Sequence, residues 1–550
     1  MLKMLRVRTL ALVLTATLCL WAWPALAAAG LNGRLASVAW LQANLSRPDV
    51  LVIDSSPAAL HKQQHIPGAV LSNLFTFGPA SPPPAEMEQR LRSMGVSPGQ
   101  QIVLVDAGGT YMAARLFWDL VHYGLPAENL FILDGGMAKW RELGGPLTQE
   151  PTPPRALGTV RITTMNQDVR VRLPEFLAAT ADPVKHVMLE ALEPEYFFGG
   201  AAFFNRGGHV PHATLMPAGD FYNADKTFKS PTELRRMLQH LGISPEQQVL
   251  TYCGGGGAAA VPFFALRYLL DHAQVRMFQE SQMGWLQDER ELPLWTYGAP
   301  YLVRDSAWLK AWGSPMLKAF GLSRLGIVDV RSTEQFKLGH VPLAMNIPEL
   351  AQSGQLARLE ALALAVRQAG LDRSHEALVV SEGGLNEHAA LAFLMLEALG
   401  QHRVSIFIDS LERWAELGQV VARPAATAGG ATTMVRPPSP DAPALAAMRS
   451  GLFTRSESGP AASAARVYVA SGRQSPSFSP AGRVIHLPYE RLLNADGTPK
   501  AAKDIWKVLD QAGVPRYAEI VFFADSLGEA AVNYVSFKLM GFPALKVWAP

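Results

Sequence analysis

The segment from Val249 to Leu270, VLTYCGGGGAAAVPFFALRYLL, sets one cysteine at the end of an apolar run and follows it with four glycines and an apolar stretch at helical spacing. These residue types point to nucleophilic sulfur chemistry. A thiol with an ordinary pKa of about 8.5 must lose its proton to attack, and a helix N-terminus lowers that value. Cys253 is therefore expected to be an accessible, acidified thiolate. Glycines let the backbone curl so that successive N–H groups turn inward. The N–H groups of Gly254, Gly255, Gly256, Gly257 and Ala258 are expected to cradle an anion. A lone cysteine also reads as a small buried hydrophobe, so its surroundings must decide.

Those surroundings are a β-rich run, a glycine turn and a helix-like segment, and the same unit recurs three more times. It reads IVLVDAGGTYMAARLFWDL at Asp106, ALVVSEGGLNEHAALAFLML at Ser381 and IVFFADSLGEAAVNYVSFKL at Asp525. Each marked residue has a glycine three positions on: Gly109, Gly256, Gly384 and Gly528. The marked residues lie 147, 128 and 144 apart, which is the spacing of domains rather than of a solenoid.

Upstream of each unit stands a short apolar strand followed by a turn: VLVIDSS then HIPGA, VMLEAL then GHVPHA, GIVDVRS then GHVPLAMNIP, and RVYVASG then GRVIHLP. Downstream of the first and third come a further strand and a helix carrying Trp140 or Trp414. Strands alternating with helices at these lengths predict α/β domains, each a parallel sheet flanked by helices on both faces. The expected boundaries are 31–150, 165–297, 302–424 and 464–550. Residues 425–463, rich in Ala, Gly, Pro and Ser, are expected to be a flexible linker.

Residues 1–27 read as a secretory signal, with Lys3, Arg6 and Arg8 before an apolar core and Ala25-Leu26-Ala27 at its end. Its removal takes the formal charge from +2 to about −1 and leaves Cys253 as the only thiol of the mature chain. A disulfide framework is excluded, and the charge balance offers no footprint for nucleic acid. We expect a periplasmic or secreted protein with no membrane span after cleavage. Neither a metal-ligand cluster nor a nucleotide fingerprint appears, so no cofactor and no metal are expected.

Taken together these motifs resemble the rhodanese family of sulfurtransferases. The carrying residues are Asp329-Val330-Arg331 with Gly339-His340-Val341-Pro342, the His65-Ile66-Pro67-Gly68-Ala69 turn, Asp134-Gly135-Gly136 with Trp140, and Cys253 in its short loop. The resemblance implies four tandem rhodanese-like domains. The first two look like a tandem thiosulfate or 3-mercaptopyruvate sulfurtransferase, with Asp106 where the second domain has the catalytic cysteine. Ser381 and Asp525 would leave the other two inactive. The implied reaction moves sulfane sulfur from a small anionic donor such as thiosulfate to a thiol or cyanide acceptor through a Cys253 persulfide. Because the loop contains no cation, Arg206 is the first candidate for donor binding. Glu190-Ala191-Leu192 departs from the family's Asp-Ala-Arg, and His212 stands where a glycine is usual. The competing reading is a non-catalytic scaffold or sulfur-binding protein assembled from rhodanese modules.

Overall fold

A computed structural model describes residues 31–72, 81–314, 316–317, 323–423, 442–455, 465–478 and 480–548. The expected signal lies outside these residues. No described helix is long and apolar enough to cross a membrane.

Four sheets appear; the first three lie within 31–150, 165–297 and 302–424, and the fourth begins at Phe453–Thr454, ahead of the expected 464–550. Each has five parallel strands in the spatial order first, fifth, fourth, second, third, and the first sheet gains the antiparallel edge strand Leu31–Asn32. The second sheet runs Arg170–Val171, Val275–Phe278, Gln248–Tyr252, His186–Glu190 and Thr214–Leu215. Its inner strands are almost wholly buried, as their continuous apolar runs require. A core of Phe176, Met188, Leu250, Tyr252, Phe278 and Trp285 lies against it. The fourth strand is central, so the residue following it emerges at the carboxyl edge of the sheet, where α/β folds place their sites.

The chain divides into two compact units. One comprises residues up to Phe197, Ala201–Gln239 and Ile243–Leu294 and holds the first two sheets. The other comprises Phe198–Gly200, His240–Gly242 and the chain from Trp295 on, and holds the last two.

Two expectations need correction. Part of the expected linker is ordered: Ala442–Leu452 is a helix with Leu445 buried, and Phe453–Thr454 pairs with the last strand, Leu545–Trp548. Alanine, counted as linker composition, is here the helix former. The remainder of 425–463 lies outside the described residues, apart from Arg455. The helix after Cys253 is also shorter than its apolar spacing suggests. It is α-helical over Ala260–Phe264 and then widens into a π-type turn over Ala265–Leu269. Pro262 removes one backbone donor from this stretch.

The last residue of the second strand differs instructively among the copies. In the third sheet it is Asp329, fully buried, held by Arg331 Nε at 3.0 Å and Nη2 at 2.6 Å, with Nη2 also donating to the Gly339 carbonyl. In the first it is Asp54, paired with His61 at 2.7 Å. In the second it is Glu190, and Leu192 stands where the arginine would be. Removing one partner of a buried pair strands the other charge. Arg331→Leu should therefore destabilise the second unit by about 3–5 kcal/mol at neutral pH. Chemical unfolding checks this, and a midpoint indistinguishable from wild type would contradict the assignment of Arg331 as the structural partner of Asp329.

Candidate active site

Cys253 follows the central strand Gln248–Tyr252 directly, and its loop turns back over the sulfur. The Gly256 N–H donates to Sγ at 3.2 Å, and the Ala259 N–H is a second donor. Only Gly256 of the loop adopts a left-handed backbone, φ +84°, and a Cβ there would lie 2.4 Å from the Gln279 carbonyl. A side chain at this position would force the loop open. From below, the Gln282 and Met283 N–H groups donate to the Cys253 and Gly254 carbonyls at 2.9 and 3.0 Å. Met137 and Ala138 do the same for Asp106 and Ala107 in the first sheet, so the two loops are built alike.

Of the five N–H groups expected to cradle an anion, that of Gly256 is directed at the sulfur. Ala259, outside the expected set, joins it. Gly257 and Ala258 instead use their carbonyls to accept from Ala260 and Val261 at 3.1 Å. Gly254 and Gly255 are buried beside the cysteine.

The accessible, acidified thiolate is not what the structure shows. Cys253 is 2% exposed, and burial pushes its thiol up from the ordinary value, with the nearby Glu190 adding to the rise. The Ala259 and Gly256 N–H groups and the Ser281 hydroxyl pull the other way without prevailing. The helix end supplies too little to offset complete burial.

Arg206 does not reach the sulfur either: its Nη2 donates to the Leu292 carbonyl at 3.0 Å. His209 behaves as a structural histidine, donating from Nδ1 to the Phe197 carbonyl and stacking on that ring. His212 takes φ +63°, like Gly68 at +77° and Leu343 at +66°, so the turn keeps one conformation in three copies whatever residue fills it.

Three residues around the loop were missed from sequence. Ser281, fully buried, takes the left-handed φ of +53°, where the first copy has Gly136 at +54°. Its hydroxyl accepts from the Cys253 N–H at 3.1 Å, donates to the Phe278 carbonyl at 2.9 Å and lies 3.9 Å from Sγ. A serine in a glycine's place is the signal that could have found it. Tyr111 and Arg115 come from the first sheet's half of the unit. Tyr111 covers Gly257, while Arg115 donates to the Gly256 carbonyl at 3.1 Å and to Asp119 at 3.0 Å. An arginine inside the apolar helix Met112–His122 was the available hint.

The other marked residues serve their own loops. Asp106 accepts from the Gly108 and Ala113 N–H groups and the Thr110 hydroxyl, Ser381 from Asn386 at 3.0 Å, and Asp525 from Ser477. None can carry sulfane sulfur. No group of three or more metal-ligating side chains occurs among the described residues.

When ionised, Glu190 raises the thiol further. Glu190 is completely buried, hydrogen-bonded by Tyr252 and more loosely by Gln282 at 3.4 Å, and burial raises it to about 8. A carboxyl held above its unfolded value of 4.5 stabilises the fold fully at low pH, and that stability is lost as pH rises toward 8. Glu190→Gln should remove this loss, so the variant gains a few kcal/mol (~3–5) over wild type at pH 9 and little at pH 4. Equal pH dependence of unfolding in the two proteins would contradict a buried, neutral Glu190.

Comparison with known proteins bears on the fold family. The family model described as "Rhodanese-like domain" matches residues 37–143 and 315–417. A probable 3-mercaptopyruvate sulfurtransferase of Pseudomonas aeruginosa is 28% identical over 47% of this chain and 97% of its own length. The sulfur carrier protein TtuD of Thermus thermophilus is 26% identical over 46% and 93%. A putative thiosulfate sulfurtransferase of Mycobacterium bovis is 27% identical over 45% and 92%. The two matched segments resemble rhodanese-like domains, and these likenesses support placing the chain with the rhodanese family of sulfurtransferases.

Proposed function

We propose that the protein is an exported sulfurtransferase in which Cys253 carries sulfane sulfur as a persulfide. The carrying observation is the closed loop itself, which directs the Gly256 and Ala259 N–H groups at a sulfur seated on the carboxyl edge of a central parallel strand. Such donors stabilise negative charge on sulfur with no cationic side chain in the loop. The names of the relatives, which include sulfurtransferases and a sulfur carrier, support the same reading.

With thiosulfate, the Cys253 thiolate attacks the outer sulfur, the S–S bond breaks, and sulfite leaves with the electron pair. Cyanide then takes the outer sulfur as thiocyanate and regenerates the thiolate; a thiol acceptor becomes a hydropersulfide instead. The four sheets would be four rhodanese-like domains, of which the one holding Cys253 reacts. Export to the periplasm or beyond rests on residues 1–27.

A second reading, a non-catalytic sulfur-binding module, is favoured by the burial and raised pKa of Cys253. One experiment separates the two. Full-length protein treated with thiosulfate should gain one sulfur atom by intact mass, lose it to cyanide, and release thiocyanate in equal amount. Cys253→Ser should do none of this. No mass gain in the wild type would hand the case to the second reading, and undiminished thiocyanate formation by Cys253→Ser would place the chemistry elsewhere.

A further inference from the structure

The same loop carries a feature that anion binding does not explain. Gly254 and Gly257 are each pressed by an aromatic ring. A Cβ on Gly254 would stand 2.6 Å from the ring of Phe203, and one on Gly257 would stand 2.8 Å from the ring of Tyr111. Both distances are below any real contact, so these glycines are seats for rings. Tyr111 is anchored at the start of the helix Met112–His122. Phe203 sits in the irregular segment before Gly207-Gly208, is 39% exposed, and touches two further rings, Phe204 at 4.9 Å and Tyr196 at 6.4 Å between centroids. Beneath it Cys253 is 2% exposed. At that burial a donor reaches the sulfur only when part of its cover moves, and the rings on the two neighbouring glycines are part of that cover. Phe203, on an irregular segment and partly in solvent, is the one placed to move.

The surroundings also say which donor gains by moving it. The guanidinium that touches the loop, Arg115, is set on the Gly256 carbonyl and Asp119, and Arg206 is set on the Leu292 carbonyl. The carboxyl beside the thiol, Glu190, is buried and keeps its proton, so it supplies no positive charge to a bound anion. A dianion such as thiosulfate gives up its hydration here chiefly for neutral donors, the Gly256 and Ala259 N–H groups and the Ser281 hydroxyl. An organic hydropersulfide carries at most one negative charge, and its apolar stem can take the place of the displaced ring among Phe203, Phe204 and Tyr196.

We propose that Phe203 is a specificity-determining gate over Cys253, displaced by the apolar stem of an organic hydropersulfide, and that this class of donor loads the site in preference to thiosulfate. In the loading step the Cys253 sulfur attacks the outer sulfur of R–S–SH. The new S–S bond forms as the old one breaks, and the inner sulfur leaves as R–S⁻ with the bonding pair. R–S⁻ takes up the proton given up by the Cys253 thiol, so a thiol and a hydropersulfide exchange roles with no net oxidation. The inference rests on the proposed role of Cys253 as sulfur carrier.

The test is the rate at which full-length protein gains one sulfur atom by intact mass from benzyl hydropersulfide or from thiosulfate at equal concentration. Iodoacetamide alkylation of Cys253 is run alongside. Wild type should load from benzyl hydropersulfide faster than from thiosulfate by about tenfold or more, the ratio expected of one well-buried apolar group. Phe203→Ala should alkylate faster and lose most of that preference, chiefly by loading faster from thiosulfate. Phe203→Leu, which keeps an apolar side chain on Gly254, should retain it. Thermal melts of both variants verify folding. Thiosulfate loading as fast as benzyl hydropersulfide in the wild type, or an unchanged ratio in a folded Phe203→Ala, overturns the gate. If neither donor loads while iodoacetamide still alkylates Cys253, the sulfurtransferase reading itself fails, and the gate with it.

Discussion

The close approach of Gly256 to the Gln279 carbonyl is the contact on which the site depends. It forces a left-handed backbone where only a residue without a Cβ fits, and that turn brings the Gly256 N–H back to the sulfur three residues earlier. The corresponding glycines Gly109 and Gly384 are left-handed as well, so the turn is a property of the repeated unit. Gly528 is the exception: it lies within the helix Leu527–Leu539, and the fourth loop has no such turn at this position. The difference between the loops therefore lies in what the turn encloses. In the second sheet it encloses a thiol; in the first, a carboxylate satisfied by its own loop.

Enclosure has an electrostatic consequence. A thiol in water is ordinary, but one sealed under glycines and aromatic rings pays the desolvation of its charged form. Glu190, buried without the arginine that neutralises Asp329 in the third sheet, meets the same penalty and answers it by keeping its proton. Two neighbouring groups thus both favour their neutral forms, and a charge on either opposes a charge on the other. The resting state is then a closed, uncharged site.

Much of this was legible in the sequence. The fourfold strand, loop and helix order, the glycine turn of the first three copies, and the position of Cys253 at a strand's carboxyl end follow from local periodicity and backbone freedom. What escaped depends on contacts distant along the chain. Tyr111 and Arg115 meet the loop across about 140 residues. Ser281 was visible only as an oddity, a serine aligned with a glycine. The sign of the thiol shift was misread because a helix terminus is written locally, whereas burial is not. Arg206 was the candidate because the turn it precedes should approach a loop that has no cation of its own, and a carbonyl 86 residues away claims it. Composition misled once: the alanines of Ala442–Leu452 look like linker and fold as helix.

The central claim is that Cys253 rests as a buried, neutral thiol beneath its glycine loop, and the pH dependence of its alkylation tests this most directly. Iodoacetamide modification of folded, full-length protein should be slower than that of a free thiol at neutral pH. Its rate should rise with an apparent pKa above the ordinary value of about 8.5. Rapid labelling at neutral pH, with an apparent pKa below that value, would contradict the account.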